Sequence, residues 1–176
     1  MLKKLCIFAF LCVFANADER LYMMPYEQNE AITALLNSIN NAKQKINISI
    51  YSFTNREIAK ALRDANNRGV KINIIYDKSQ NKGDSSTIGY LDKFENINTC
   101  LLEGLKAKKG KYKGIMHQKM IIIDDKVIAL GSANWSKNAF ENSYETLYFT
   151  DSKNIISHAN TFYTKMLQTC EPFVEH

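Results

Sequence analysis

The stretch 116–130 can form little other than a β-hairpin, and that hairpin limits what the rest of the 176-residue chain can be. Met120, Ile121, Ile122 and Ile123 make a short apolar run rich in β-branched residues, which predicts a strand over 116–124. Asp124-Asp125-Lys126 then turns tightly into a second apolar strand over 127–130. Side chains alternate along a strand, so His117 and Lys119 share a face and Gln118 points away. Asp124, five residues past Lys119, falls on the opposite face or already in the turn. Gly131 lets the backbone approach a neighbour closely. Ser132 and Asn134, again two apart, can aim hydroxyl and amide donors back at the His117/Lys119 face. A nucleophile, a cation and neutral donors in one short run are what a phosphodiester site needs.

The remaining sequence alternates helical and strand periodicity. Strands are predicted over 21–24, 46–50, 70–76, 98–102 and 145–149, and helices over 28–43, 54–69, 87–95, 136–140 and 153–167. Ile46, Ile48 and Ile50 alternate with Asn47 and Ser49, and Thr54 with Glu57 resembles a capping box. This order predicts an α/β fold, a mixed β-sheet flanked by helices on both faces, as one domain over 18–176. A core of that size needs no disulfide or metal to be stable.

The spacing His117-x-Lys119-x4-Asp124-x6-Gly131-Ser132 resembles the mark of the phospholipase D superfamily. Its single copy resembles the small bacterial Nuc-type endonucleases, which carry one motif per chain. The resemblance is strongest over 115–145 and extends over 21–170. It implies an α-β-α sandwich. It also implies that Glu145, in the run Asn142-Ser143-Tyr144-Glu145, orients the histidine; Tyr144 departs from the commoner pattern. For Asp124 it implies a structural hydrogen-bonding role. His158 and His176 are read as surface or satisfied-core residues, and Trp135 as packing.

A neutral His117 can attack phosphorus to form a phosphohistidine. The leaving alkoxide then needs a proton, and one chain offers no second well-placed histidine. Single-motif members resemble half of a two-motif enzyme, so the resemblance implies a homodimer with both His117 side chains facing one phosphate. Lys119, Ser132 and Asn134 would hold the phosphate oxygens, and Glu145 would fix the imidazole tautomer. This route needs no cofactor, and no cluster in the sequence has metal-ligand spacing.

Residues 1–17 read as a secretory signal: Lys3 and Lys4, an apolar stretch over 5–15, then Ala15-Asn16-Ala17. Its apolar helix would be roughly 16 Å long, about half a bilayer core. The predicted location is therefore the periplasm or the outer side of the inner membrane, with secretion open. An uncleaved segment would tether the chain peripherally to a membrane. Without that segment two cysteines remain, Cys100 and Cys170, which an oxidising compartment allows to pair. The alternative is two buried thiols.

The net charge of +5 becomes +3 without Lys3 and Lys4. Lys106, Lys108, Lys109, Lys111 and Lys113 crowd one loop upstream of His117, which favours a polyanionic substrate; Tyr112 in that loop could stack on a base. Three functions compete. The first is an endonuclease acting on DNA, with single-strand preference and RNA left open. The second is a phospholipase or phosphatidyl transferase using the same histidine chemistry. The third is a nucleic-acid-binding protein without catalysis, which has no use for a histidine nucleophile.

Overall fold

A computed structural model describes residues 18–81 and 86–174. The predicted signal over 1–17 and His176 lie outside the described residues. The described residues fold into one mixed sheet of eight strands in the order β1-β7-β6-β5-β2-β3-β4-β8. These are β1 (Glu19–Met24), β2 (Lys45–Ile50), β3 (Lys71–Asp77), β4 (Ile97–Leu102), β5 (Lys119–Ile123), β6 (Val127–Gly131), β7 (Glu145–Thr150) and β8 (Glu171–Pro172). Strands β2, β3 and β4 run parallel, each joined by a helix to the next. Antiparallel pairs carry the sheet outward through β5, β6, β7 and β1.

Helices cover the two faces unequally. Helices α1 (Gln28–Asn41), α2 (Arg56–Asn67), α3 (Ile88–Leu91) and α4 (Lys137–Glu141) bury Leu35, Ile39, Ile58, Leu62, Leu91 and Phe140 in one large core with Ile46, Ile48, Ile50, Ile121 and Phe149. Among the described residues helix α5 (Lys153–Thr169) is the one helix on the other face. Its Tyr163 packs with Ile75 and Cys100, and its Ile156 with Ile122 and Ile128. That leaves the β1 end of the face bare, with Leu21 55% exposed.

The alternation in β2 does not give one wet face. Asn47 and Ser49 are buried beneath α5's side of the sheet. Buried polar groups need partners, and these find them sideways. Asn47, Asn73 and Asn98 stand in register on β2, β3 and β4; Asn98 donates to Asn73 Oδ1 and Asn73 to Asn47 Oδ1, each at 3.1 Å. Ser49 donates to Gln118 Oε1 at 2.8 Å.

Two local expectations are corrected. The cap of α2 is Asn55, whose side chain accepts from the N–H groups of Glu57 and Ile58 at 2.9 and 3.2 Å. The helix begins at Arg56, one residue too late for Thr54 to cap it, and the N–H groups of Thr54 and Asn55 both donate to the Trp135 carbonyl at 2.9 Å. The helix expected over 87–95 shrinks to α3, since the chain must reach β4 within a few residues. Trp135 is buried and meets Phe53 edge-on with ring centroids 5.0 Å apart. Cys100 and Cys170 are joined in a disulfide that ties β4 to the end of α5.

Asp124 sits in the β5–β6 turn, where it and Asp125 both have positive φ, 53° and 54°. Positive φ at both central residues suits the twist of a tight hairpin turn, here closed by the Lys126 N–H donating to the Ile123 carbonyl at 2.9 Å with three residues between the paired Ile123 and Val127. Its carboxylate accepts the N–H groups of Lys43, Gln44 and Lys45 at 2.8, 2.8 and 2.9 Å, pinning the α1–β2 connection to the hairpin. Burial alone would raise its pKa; the three backbone N–H bonds outweigh that and hold the carboxyl below its ordinary value. A depressed carboxyl stabilises the fold fully above its unfolded pKa, and the contribution is lost as pH falls through the folded one. Asp124→Asn, which tolerates the same φ, should cost on the order of 1–3 kcal/mol at neutral pH. The gap to wild type should narrow below about pH 4. Urea unfolding at pH 7 and pH 3 measures both, and a gap of equal size at the two pH values would contradict the account.

Candidate active site

The carboxyl ends of β2, β3 and β6 and the amino ends of β5 and β7 meet at one end of the sheet. This is where open α/β sheets place their ligands. Ile50 pairs with Lys119, and Gly131 with Leu147, so the strand ends lie side by side. Strand β5 begins at Lys119 rather than at 116, and His117 lies in the extended stretch just before it. That stretch is held on both sides. The Tyr51 N–H donates to the Gln118 carbonyl at 2.9 Å, and the Met116 N–H donates to Asp77 Oδ2 at 2.9 Å.

Lys119 is only 6% exposed. Its ammonium donates to the His117 carbonyl at 2.8 Å and lies 3.1 Å from His117 Nε2. An ammonium only donates, so a charged Lys119 pairs with the tautomer whose Nε2 carries a lone pair. Burial pushes the Lys119 pKa below its ordinary value, while the charges of Glu145 and Asp77 pull it back up. The Tyr51 ring completes the cluster, edge-on to His117 with centroids 4.4 Å apart and with its centroid 4.9 Å from Lys119 Nζ.

Ser132 is fixed by the close approach of β6 to β7. Its N–H donates to the Thr146 carbonyl at 3.1 Å, and its Oγ accepts the Thr146 N–H at 3.0 Å, which leaves its own proton free to donate. A Cβ at Gly131 would lie 2.0 Å from the Thr146 oxygen, so only glycine permits this approach. Asn134 lies beyond, between buried Ala133 and Trp135, and its Oδ1 is buried without a partner among the described residues. Among the described residues neither Ser132 nor Asn134 is hydrogen-bonded to His117 or Lys119. Glu145 differs from what the resemblance implies. Its charge acts on Lys119, and it makes no hydrogen bond to the imidazole among the described residues.

The lysine loop is a small hairpin. Gly104 donates to the Gly114 carbonyl at 3.0 Å, Gly114 to Leu105 at 2.9 Å and Ala107 to Tyr112 at 3.0 Å. Lys106, Lys108, Lys109 and Lys111 are exposed, and Tyr112 is 73% exposed. Lys113 differs from the others: it is paired with Glu103. Asp124 stands at the far end of β5, away from this cluster. His158 is exposed on α5. Among the described residues no three His, Cys, Asp or Glu side chains gather as a metal site, and no helix is long and apolar enough to cross a membrane. Tyr51 and Asp77 were not foreseen. Asp77 closes an apolar strand, and Tyr51 follows one, positions that attract no notice until the sheet order is known.

A family model described as cardiolipin synthase, PLD-like domain, matches residues 35–167. Among solved structures, NucT from Helicobacter pylori is 52% identical, with a TM-score of 0.88 over 90% of this chain and 100% of that one. Nuc from Salmonella typhimurium, a phospholipase D family member, is 23% identical with a TM-score of 0.73, over 91% of this chain and 100% of that one. The mitochondrial cardiolipin hydrolase of Homo sapiens is 25% identical over 126 residues, 72% of this chain and 46% of that protein. The chain thus spans about half the length of that curated relative. With a family match across residues 35–167 and this likeness to NucT, the chain belongs to the PLD-like domain family of the phospholipase D superfamily and has its Nuc-type fold.

Proposed function

We propose that this protein is an exported endonuclease that hydrolyses phosphodiester bonds of DNA without a metal ion, through a phosphohistidine on His117. The observation that carries the reading is the buried Lys119 ammonium set 3.1 Å from an exposed imidazole nitrogen. It keeps Nε2 in its lone-pair form and is positioned to move onto a phosphate oxygen. The Nε2 lone pair attacks phosphorus, and the bond to the leaving alkoxide breaks as a second imidazole gives that oxygen a proton. Water then attacks the phosphohistidine, losing its proton to the second imidazole, and the P–N bond returns its electrons to Nε2. Ser132 and Asn134 donate to the phosphate oxygens, and Lys119 carries the balancing charge.

The second imidazole is the partner's His117 in a homodimer. Support comes from the count of imidazoles: among the described residues the other histidine, His158, is exposed on α5, on the opposite face of the sheet from Lys119, so a second imidazole must come from another copy of the chain. The lysine arm supports a polyanion, since four of its cations stand free of any ion pair with a described carboxylate beside His117. An uncleaved N-terminal segment would add a peripheral membrane tether. RNA fits the same chemistry, and an exposed Tyr112 favours unpaired bases. A lipid phosphodiesterase is the second reading, favoured by the family model's description and by the cardiolipin hydrolase among the relatives.

The test incubates the protein and a His117→Ala twin in EDTA with labelled single-stranded DNA, duplex DNA, RNA and cardiolipin-containing vesicles. Cleavage of nucleic acid should persist in chelator and fall at least about a thousandfold in the twin. Turnover of lipid alone would move the protein to the second reading. Activity per chain should fall on dilution through the dimer dissociation constant, and a flat profile there would remove the shared site. Replacing Lys108, Lys109 and Lys111 with Gln should weaken binding to any sequence and lower the slope of log K against log salt by about 2 to 3. An unchanged slope would take the arm off the substrate path.

A further inference from the structure

We infer that Tyr51 is a positioning residue for the reaction, whose ring face holds the Lys119 ammonium charged and within reach of both His117 Nε2 and the phosphate. The inference rests on the hydrolase reading above and adds a component to its site. Tyr51 touches both reacting side chains at once, His117 edge-on at 4.4 Å between centroids and the Lys119 ammonium at 4.9 Å from its centroid.

Its placement is over-determined. Tyr51 follows Ile50, which is in register with Lys119, so the ladder sets it beside Gln118. Its N–H donates to the Gln118 carbonyl at 2.9 Å, and its carbonyl accepts from Asn81 Nδ2 at 2.8 Å. Asn81 is itself buried, and its Nδ2 also donates to the Asp77 carbonyl at 2.9 Å. Among the described residues the Tyr51 hydroxyl makes no hydrogen bond, so its ring supplies the contacts.

The chemistry explains why an aromatic stands there. Lys119 faces His117 from its own segment, Tyr51 at the end of β2, Asp77 at the end of β3 and Glu145 at the start of β7. Desolvation works against its charge, and the two carboxylates work for it. A third carboxylate would bind the ammonium and keep it from the phosphate. A ring face attracts the cation without a directional acceptor, so the ammonium stays charged and free to shift by a bond length. An aliphatic side chain would fill the space and give none of this.

Two readouts test the inference. The first is cleavage of single-stranded DNA by Tyr51→Phe and Tyr51→Leu. Tyr51→Phe should keep kcat within about twofold, and Tyr51→Leu should lose about tenfold or more in kcat with KM little changed. The second needs no activity: NMR titration of carbon-13-labelled lysine Cε in the full chain, with Lys119 assigned by its absence in Lys119→Met. The Lys119 midpoint should move further down in Tyr51→Leu and stay in Tyr51→Phe, and the alkaline limb of kcat/KM should follow it. Should Tyr51→Leu fail to fold, the Phe variant with increasingly fluorinated rings keeps the shape and weakens the ring face in steps. Its kcat and Lys119 midpoint should fall step by step. A flat fluorination series, or equal losses in Phe and Leu, overturns the inference. Absence of cleavage by the wild type, with the titration series intact, would instead overturn the hydrolase reading and leave the contact standing.

Discussion

The arrangement at this end of the sheet depends on one buried charge. Lys119 opens β5 and is followed by four apolar residues, yet it carries an ammonium where only 6% of the residue is exposed. A cation left alone there would lose its proton or unfold the strand. It is kept by groups from four segments: the His117 carbonyl, the charges of Asp77 and Glu145, and the Tyr51 ring. Each lies at the end of a different strand. The strand order β7-β6-β5-β2-β3 is therefore a condition for the charge as well as for the core. A shift of register in β2 or β5 would carry Tyr51 away from Lys119 and strand the cation.

The same charge ranks the parts of the site. Asp77 is itself buried, at 1% exposure, and its second oxygen holds the Met116 N–H. It therefore sets the backbone that carries His117 while its charge supports Lys119. Glu145 works on the cation from the other side. Among the described residues the imidazole meets the Lys119 ammonium and the Tyr51 ring, and no carboxylate is hydrogen-bonded to its ring nitrogens.

How far the sequence could be read depended on whether the relevant interaction was local. The His117/Lys119 pair was legible because strand alternation fixes it, and Gly131 because glycine has few reasons to sit at a strand end before Ser132. The disposition of Asp124 followed from the turn, but its three partners at Lys43, Gln44 and Lys45 lie about eighty residues away in sequence and no local pattern names them. Thr54 looked like the cap of α2 because a capping box is a local pattern. The N–H groups of Thr54 and Asn55 are both held by the distant Trp135 carbonyl, the helix starts at Arg56, and the cap falls to Asn55. The alternation in β2 showed a strand but not how its buried Asn47 is satisfied, because an asparagine ladder across three strands is invisible in any one of them. Tyr51 and Asp77 belong to the same class: their meaning arises only when β2 and β3 are laid beside β5.

The hairpin that bears the motif is then best understood as two anchored ends with chemistry at one of them. At the turn, Asp124 fastens β5 to the α1–β2 connection, which fixes β5 lengthwise against β2. At the other end, Gly131 lets Ser132 lock to Thr146, which fixes β6 against β7. Between these anchors β5 cannot slide past either neighbour without breaking charged or paired backbone bonds. A displacement of about 1 Å at a catalytic group can cost about a hundredfold in rate. The fixed register is therefore what lets a long lysine side chain and an exposed histidine act as a fixed pair. Under the proposed hydrolysis Asp124, at the far end of β5 from His117, acts through the position it gives to Lys119.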